Sequence, residues 1–162
     1  MNWIFGDNIN TDLITPGRYN ITTDPAELAK IAFIEHRPEF AKKIRPGDFV
    51  MGGNNFGCGS SRETAVTALK ASGVKAIIAK SFARIFYRNC MSQGVLAIIA
   101  DTSGITESDV LKIDIKKQVV TNVSQDKKLP AVIPSLMVKL YAEGGLITYL
   151  QKNGLDSVDK LF

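Results

Sequence analysis

Cysteine and histidine are close to absent from this sequence. Cys58 and Cys90 are the only cysteines, and no CxxC spacing joins them. Two thiols cannot complete a four-sulfur zinc site or hold a cubane iron–sulfur cluster in the usual way. Cys90 reads as a buried apolar thiol; Cys58, set between two glycines, reads as nearer to solvent, with no general base beside it in sequence. His36 is the single histidine, flanked by Glu35 and Arg37 in a stretch that reads as solvated surface. Without it neither a Ser-His-Asp triad nor a histidine-rich metal site is available. Hydrophobic runs such as Ala76-Ile77-Ile78-Ala79 are far too short to span a bilayer. Residues 1–5 read as an opening strand and lack the basic start and long apolar segment of a signal peptide, so a cytosolic protein is expected. Basic residues are interspersed with acidic ones, and the net charge is only +4. No run of like charge suggests a nucleic-acid tail, and a mild positive balance suits anionic small molecules equally well. A complete catalytic apparatus is missing.

What is present is concentrated in one stretch, Gly52-Gly53-Asn54-Asn55-Phe56-Gly57-Cys58-Gly59-Ser60-Ser61-Arg62-Glu63. A helical pattern follows at once, with Ala65, Val66, Ala68 and Leu69 on one apolar face and Gly73 just past its end. A helix N-terminus has unpartnered N–H groups and a partial positive charge. Gly57 and Gly59 let the backbone turn sharply, and Arg62 adds a planar cationic fork matched to carboxylate or phosphate. An anion site is one reading. The other is a capping box, with Ser60 bonding the first turn and Glu63 reaching back; it leaves the glycines, the asparagines, the second serine and Arg62 unexplained. The dinucleotide fingerprint fails because Arg62 stands where its third glycine belongs. A P-loop fails because no lysine precedes Ser60.

At 162 residues the chain fits one α/β domain, 1–162, with room for a real core. Residues 6–12 are dense in turn formers, either a polar turn or a means of fixing Asp12 near a site. Thr23 or Asp24 caps the next helix, with Pro25 at its start and Leu28, Ile31 and Ala32 on its inner face. Strands are expected at 48–52, 74–79 and 95–100; the first two, with the helix between them, suggest a βαβ unit. In segment 82–90, Phe82, Ile85 and Phe86 read as core, while Arg84, Arg88 and Asn89 either cover the site or face water. Residues 109–115 and 118–123 form a plausible hairpin, 124–130 a polar loop, 135–143 a helix ended by Gly144-Gly145, and 146–152 one more amphipathic segment.

With these residues laid out, most of the chain resembles the swivelling domain of the aconitase superfamily, as found in the small subunits of 3-isopropylmalate dehydratases. Three blocks carry the resemblance in order: Gly6-Asp7-Asn8-Ile9-Asn10-Thr11-Asp12, then Asn55-Phe56-Gly57-Cys58-Gly59-Ser60-Ser61-Arg62-Glu63, then Ser81-Phe82-Ala83-Arg84-Ile85-Phe86-Tyr87-Arg88-Asn89. Thr64 stands where the family often has histidine, and Ser92 where asparagine is common. The resemblance implies a compact swivelling β/β/α domain of the aconitase small-subunit type. It also implies a division of labour. A separate large subunit would carry a [4Fe–4S] cluster whose open iron binds the hydroxyl and a carboxylate of a small 2-hydroxy dicarboxylate. This chain would hold no cofactor of its own. By match to the motif, Ser60 is the base, Ser61 and Arg62 bind substrate oxygens, and Asp12 orients groups in the closed site.

The loop Tyr19-Asn20-Ile21-Thr22 is where substrate choice is expected. Relatives acting on tricarboxylates tend to have an arginine there; Ile21 in its place would accept an isopropyl group and leave a further carboxylate unpaired. Alternatively Ile21 packs onto the following helix. The implied activity is isomerisation of 2-isopropylmalate to 3-isopropylmalate in leucine biosynthesis, with a homoaconitase-like or dimethylmalate-type hydro-lyase as the alternative. A non-catalytic anion- or RNA-binding module is the reading from a different class, and the absence of a basic stripe with interleaved aromatics speaks against it.

Overall fold

The computed structural model describes residues 1–161; Phe162, the last residue of the expected 1–162 domain, lies outside the described residues. The chain opens with strand β1 (Asn2–Ile4) and a one-turn helix α1 (Thr11–Ile14), followed by a short 3-10 turn at Gly17–Tyr19. Helix α2 (Pro25–Lys30) starts at Asp24, whose side chain accepts from the Ala26 N–H, with Pro25 in the first turn as expected. A further single turn, α3 (Phe40–Lys43), had no signal in the sequence, being too short to show a period. Then follow β2 (Phe49–Gly52), α4 (Glu63–Ala71), β3 (Ala76–Ala79), α5 (Arg84–Gln93) and β4 (Ala97–Ala100).

The seven strands form one sheet in the order β1-β2-β3-β4-β7-β6-β5, where β5 is Leu111–Asp114, β6 Val119–Asn122 and β7 Lys127–Val132. The first four strands are parallel, with Val50 opposite Trp3 and Ile77 in neighbouring register. From β4 onward the pairing is antiparallel. The expected βαβ unit is β2-α4-β3, and the expected hairpin is β5-β6. The polar loop expected at 124–130 is corrected: most of it belongs to β7, an inner strand. Only Leu129 and Ala131 of β7 are buried, while Lys127, Lys128 and Pro130 face outward, so half of a strand looked like a loop. Helices α6 (Ser135–Glu143) and α7 (Leu146–Asn153) close the chain's packing against α5.

Parallel strands buried on both faces read as continuous apolar runs, and β2 and β3 are buried at every position. One layer packs Trp3, Phe5, Phe33 and Phe40 together, with the Phe5 and Phe33 rings stacked at 4.1 Å. On α5, Phe86 and Cys90 are buried one turn apart. Ile85, expected in the core, is instead 50% exposed; it neighbours Phe86 on a helix whose inward positions are four apart, and so points away. Among the described residues no helix is long and apolar enough to cross a membrane.

Candidate active site

Strands β1, β2 and β3 are adjacent and parallel, so the loops leaving their carboxyl ends rise from one edge of the sheet. In open α/β sheets that edge is where ligands bind. Each of the three loops is one of the blocks singled out in the sequence, and they are knitted together by backbone. The first and second join through Gly53 N to Gly6 O (3.0 Å), Asn8 N to Asn54 O (2.8 Å), Gly57 N to Ile9 O (2.6 Å) and Thr11 N to Cys58 O (2.9 Å). The second and third join through Phe56 N to Ser81 O (3.0 Å) and Ala83 N to Phe56 O (2.9 Å).

Several residues of the blocks build the loops and do not face a ligand. Asn8 and Asn55 both take left-handed backbone conformations, φ 55° and 57°, which asparagine tolerates better than most residues. Their side chains meet, Asn55 Nδ2 donating to Asn8 Oδ1 at 3.0 Å. Asp7 accepts from the Asn54 N–H at 2.6 Å, and this bond with that from the Asn54 side chain holds its carboxyl below the usual range. Ser81 Oγ accepts from the Asn55 N–H. Gly57 and Gly59 do turn the backbone, at φ 79° and 91°, and a side chain at Gly57 would run into the Phe86 ring.

The chain then delivers Ser60, Ser61 and Arg62 to the start of α4. Ser60 and Ser61 are exposed. The capping box is not formed: the cap position of α4 is Arg62, and no side chain caps the helix. Glu63 is exposed and its carboxylate makes no hydrogen bond or ion pair among the described residues; its carbonyl accepts from Gln93 Nε2. The first-turn N–H groups of α4 are therefore not covered by a serine hydroxyl, while Glu63 in that first turn offsets part of the partial positive charge. Arg62 is half-buried. Its Nη1 donates to the Thr15 carbonyl at 2.9 Å and lies 2.5 Å from Asp12 Oδ1. Its Nε and Nη2 make no hydrogen bond among the described residues, which leaves donors for a ligand.

Asp12 is placed by α1, whose cap Asn10 accepts from the Leu13 N–H at 2.8 Å. The preceding Thr11, which the sequence reading did not single out, is buried and donates from Oγ1 to the Ser60 carbonyl at 2.9 Å, with Ser60 Oγ 3.5 Å away. Its position beside Asp12 in the first block was the available signal. Of the expected site residues, Ser60, Ser61, Arg62 and Asp12 are thus brought together. Tyr19 and Ile21 are on the loop that passes Arg62 at Gly17, where a Cβ would stand 3.5 Å from Nη2. Neither makes a hydrogen bond or ion pair with Ser60, Ser61 or Arg62 among the described residues. Ile21 is 89% exposed, so it does not pack onto α2. Thr64 Oγ1 is buried without a partner among the described residues.

Cys90 is fully buried, and burial pushes its thiol far up. Cys58 is half-buried. Among the described residues no group of three or more His, Cys, Asp or Glu stands close enough together to hold a metal ion.

The aconitase C-terminal domain model matches residues 4–103, which contain all three blocks. The chain belongs to the aconitase C-terminal domain family. Within that family it is 50% identical to the 3-isopropylmalate dehydratase small subunit 2 of Archaeoglobus fulgidus, over 94% of this chain and 93% of that one. It is 47% identical to the methanogen homoaconitase small subunit of Methanocaldococcus jannaschii, covering 93% and 92% of the two chains. The crystal structure of a 3-isopropylmalate dehydratase from Methanocaldococcus jannaschii superposes with a TM-score of 0.90 at 45% identity, over 98% of this chain and 96% of that one. The aconitase-type fold expected from the sequence is therefore the fold observed. The superposition covers nearly the whole chain, so the antiparallel half built on β5–β7 belongs to the shared architecture as well.

Proposed function

We propose that this chain is the small subunit of a 3-isopropylmalate dehydratase, a hydro-lyase that converts 2-isopropylmalate to 3-isopropylmalate in leucine biosynthesis, working as one swivelling domain over residues 1–162. The observation that carries this reading is the meeting of three loops at one sheet edge. There an exposed Ser60 hydroxyl stands beside a tethered Arg62 with free donors and the uncapped start of α4.

Ser60 acts as the base. As alkoxide it takes the proton from the carbon next to the hydroxyl-bearing one, the hydroxyl leaves, and a carbon–carbon double bond forms. The hydroxide so released then adds to the carbon that lost the proton, and Ser60 returns the proton to the carbon that lost the hydroxyl. A serine hydroxyl is a very weak acid, so the step needs strong stabilisation of its oxyanion. The α4 N–H groups and dipole, and the Arg62 charge, act in that direction, most strongly once closure has driven water out. Ser61 and Arg62 bind substrate carboxylate oxygens, and Asp12 holds Arg62 in place for that contact.

Cys58 and Cys90 do not fit an iron–sulfur cluster, one being sealed in the core. The [4Fe–4S] cluster that the family resemblance calls for belongs to a large partner subunit, onto which the face carrying Ser60 and Arg62 closes. The test is assembly with a candidate large subunit and assay on 2-isopropylmalate. Ser60→Ala and Arg62→Ala should each lower turnover by at least ~100-fold without unfolding the chain, and normal turnover in either variant would remove the mechanism. The second reading, a homoaconitase-like small subunit, is favoured by the 47% identity to the methanogen homoaconitase subunit. Comparing rates on isopropylmaleate and homoaconitate separates the two.

A further inference from the structure

The Ser60 base needs a hydrogen-bond donor that is available when the alkoxide exists, and the structure holds a side chain suited to that. Thr11 is 2% exposed, at the first position of α1. It is fixed through its backbone, Thr11 N donating to Cys58 O and Thr11 O accepting from Thr15 N, both at 2.9 Å. Its Oγ1 faces two oxygens of one residue, the Ser60 carbonyl at 2.9 Å and Ser60 Oγ at 3.5 Å. No other side chain makes a hydrogen bond to Ser60 Oγ among the described residues.

A threonine hydroxyl has one proton and two lone pairs. While Ser60 is neutral, the proton of Thr11 points to the Ser60 carbonyl, and Ser60 can in turn donate to Thr11 Oγ1. Once Ser60 has lost its proton, its Oγ can only accept. Rotation about the Thr11 Cβ–Oγ1 bond then turns the same proton toward the charged oxygen, where the hydrogen bond is shorter and roughly twice as strong as a neutral one. The carbonyl left behind belongs to an exposed residue, so its loss is small.

We infer that Thr11 is a positioning residue for the Ser60 base, whose hydroxyl switches from the Ser60 carbonyl to the Ser60 alkoxide as the base is formed. The inference rests on the reading of Ser60 given above. It needs no added reagent, because the only change is the direction of one O–H bond; the proton that Ser60 takes from the substrate and gives up again still goes to the other carbon.

The experiment compares Thr11→Val, Thr11→Ser, Ser60→Ala and the Thr11→Val/Ser60→Ala pair, each assembled with the large subunit. Thr11→Val keeps the shape and removes the hydroxyl; kcat should fall about 10- to 100-fold with KM changed little, and the basic rise of the kcat–pH profile should move to higher pH. Thr11→Ser keeps the hydroxyl and should restore both kcat and the profile. In the Ser60→Ala background, Thr11→Val should cost nothing further, because the two groups act as one unit. If Thr11→Val fails to assemble, Thr11→Cys, with only a weak S–H donor, takes its place and should show the same profile shift. A normal kcat and profile in Thr11→Val beside an inactive Ser60→Ala overturns this inference alone, as does an equal loss on adding Thr11→Val to Ser60→Ala. Full turnover in Ser60→Ala overturns the assignment of the base and this inference with it.

Discussion

The Arg62 guanidinium lies 2.5 Å from the Asp12 carboxylate, the two brought together from blocks that lie to either side of α2 in sequence. The pair is unequal: the Arg62 side chain is 23% exposed and that of Asp12 56%. Such a half-solvated pair adds little to folding stability, so its value is in aim. Asp12→Asn should leave the melting temperature nearly unchanged and lower kcat/KM of the assembled enzyme by about tenfold, since Arg62 keeps its Thr15 anchor but loses the charge that orients it. Arg62→Lys should do worse, because an ammonium cannot serve Thr15, Asp12 and a substrate carboxylate with one planar group. Kinetics on the two variants, with thermal melts alongside, decide the matter; a near-normal Arg62→Lys enzyme would show that the fork is not used.

Gly57 tests whether the loop is built as tightly as the geometry indicates. Its φ is 79°, and a Cβ there would sit 2.0 Å from Phe86 Cγ. Alanine therefore meets both a disfavoured backbone region and an aromatic ring that is itself wedged against Phe56 at 5.6 Å. Gly57→Ala should destabilise by about 1–3 kcal/mol in urea titration. Turnover should fall even where the chain is fully folded, because Ser60 is three residues on.

Asp48 sets an acid limit to stability. It is 6% exposed, and it accepts from the Trp3 indole at 3.1 Å, the Arg45 N–H at 3.0 Å and the amino-terminal nitrogen at 2.8 Å. Burial alone would raise its carboxyl; these donors win and hold it below the ordinary 3.8. The folded value is thus lower than the unfolded one. The stabilisation is fully present above the unfolded value and is lost as pH falls through the folded one. Stability should be flat with respect to this group at neutral pH and drop below about pH 4. Asp48→Asn should cost about 1–3 kcal/mol at pH 7 and flatten the acid limb of a melting-temperature–pH curve.

The site was legible because its chemistry is written in contiguous runs. Glycines at positive φ, serines and an arginine ahead of an apolar helical face declare a loop meeting a helix, whatever else the chain does. The meeting of three such runs was not legible from local pattern, because it depends on β1, β2 and β3 being neighbours in one sheet. Misreadings have equally local causes. Ser60-x-x-Glu63 has the spelling of a capping box, yet Thr11 holds the Ser60 carbonyl and the helix begins beyond it. Residues 127–132 alternate with their polar face outward and include Pro130, which hid β7. Ile85 looked like core by composition, whereas the four-residue spacing of Phe82, Phe86 and Cys90 is what sets the inner face of that segment.

Ile21 offers the sharpest test of substrate choice. A large aliphatic side chain that is 89% exposed contributes almost nothing to this chain's own core, so its replacement should change stability by no more than about 0.5 kcal/mol. Any effect of Ile21→Arg must then come through what the loop meets on closure. An arginine there could pair a third carboxylate and would present a charge to an isopropyl group, so it should move preference in both directions at once. The assembled variant should lose kcat/KM on isopropylmaleate and gain it on homoaconitate, shifting their ratio by at least ~10-fold, in the range that one added polar contact gives. Parallel losses on both substrates would mean general disturbance of the loop, and an unchanged ratio would mean that Ile21 does not read the substrate. In either case discrimination would have to come from elsewhere, such as the partner subunit, because the roles proposed for Ser60, Ser61 and Arg62 involve only the dicarboxylate core that both substrates share.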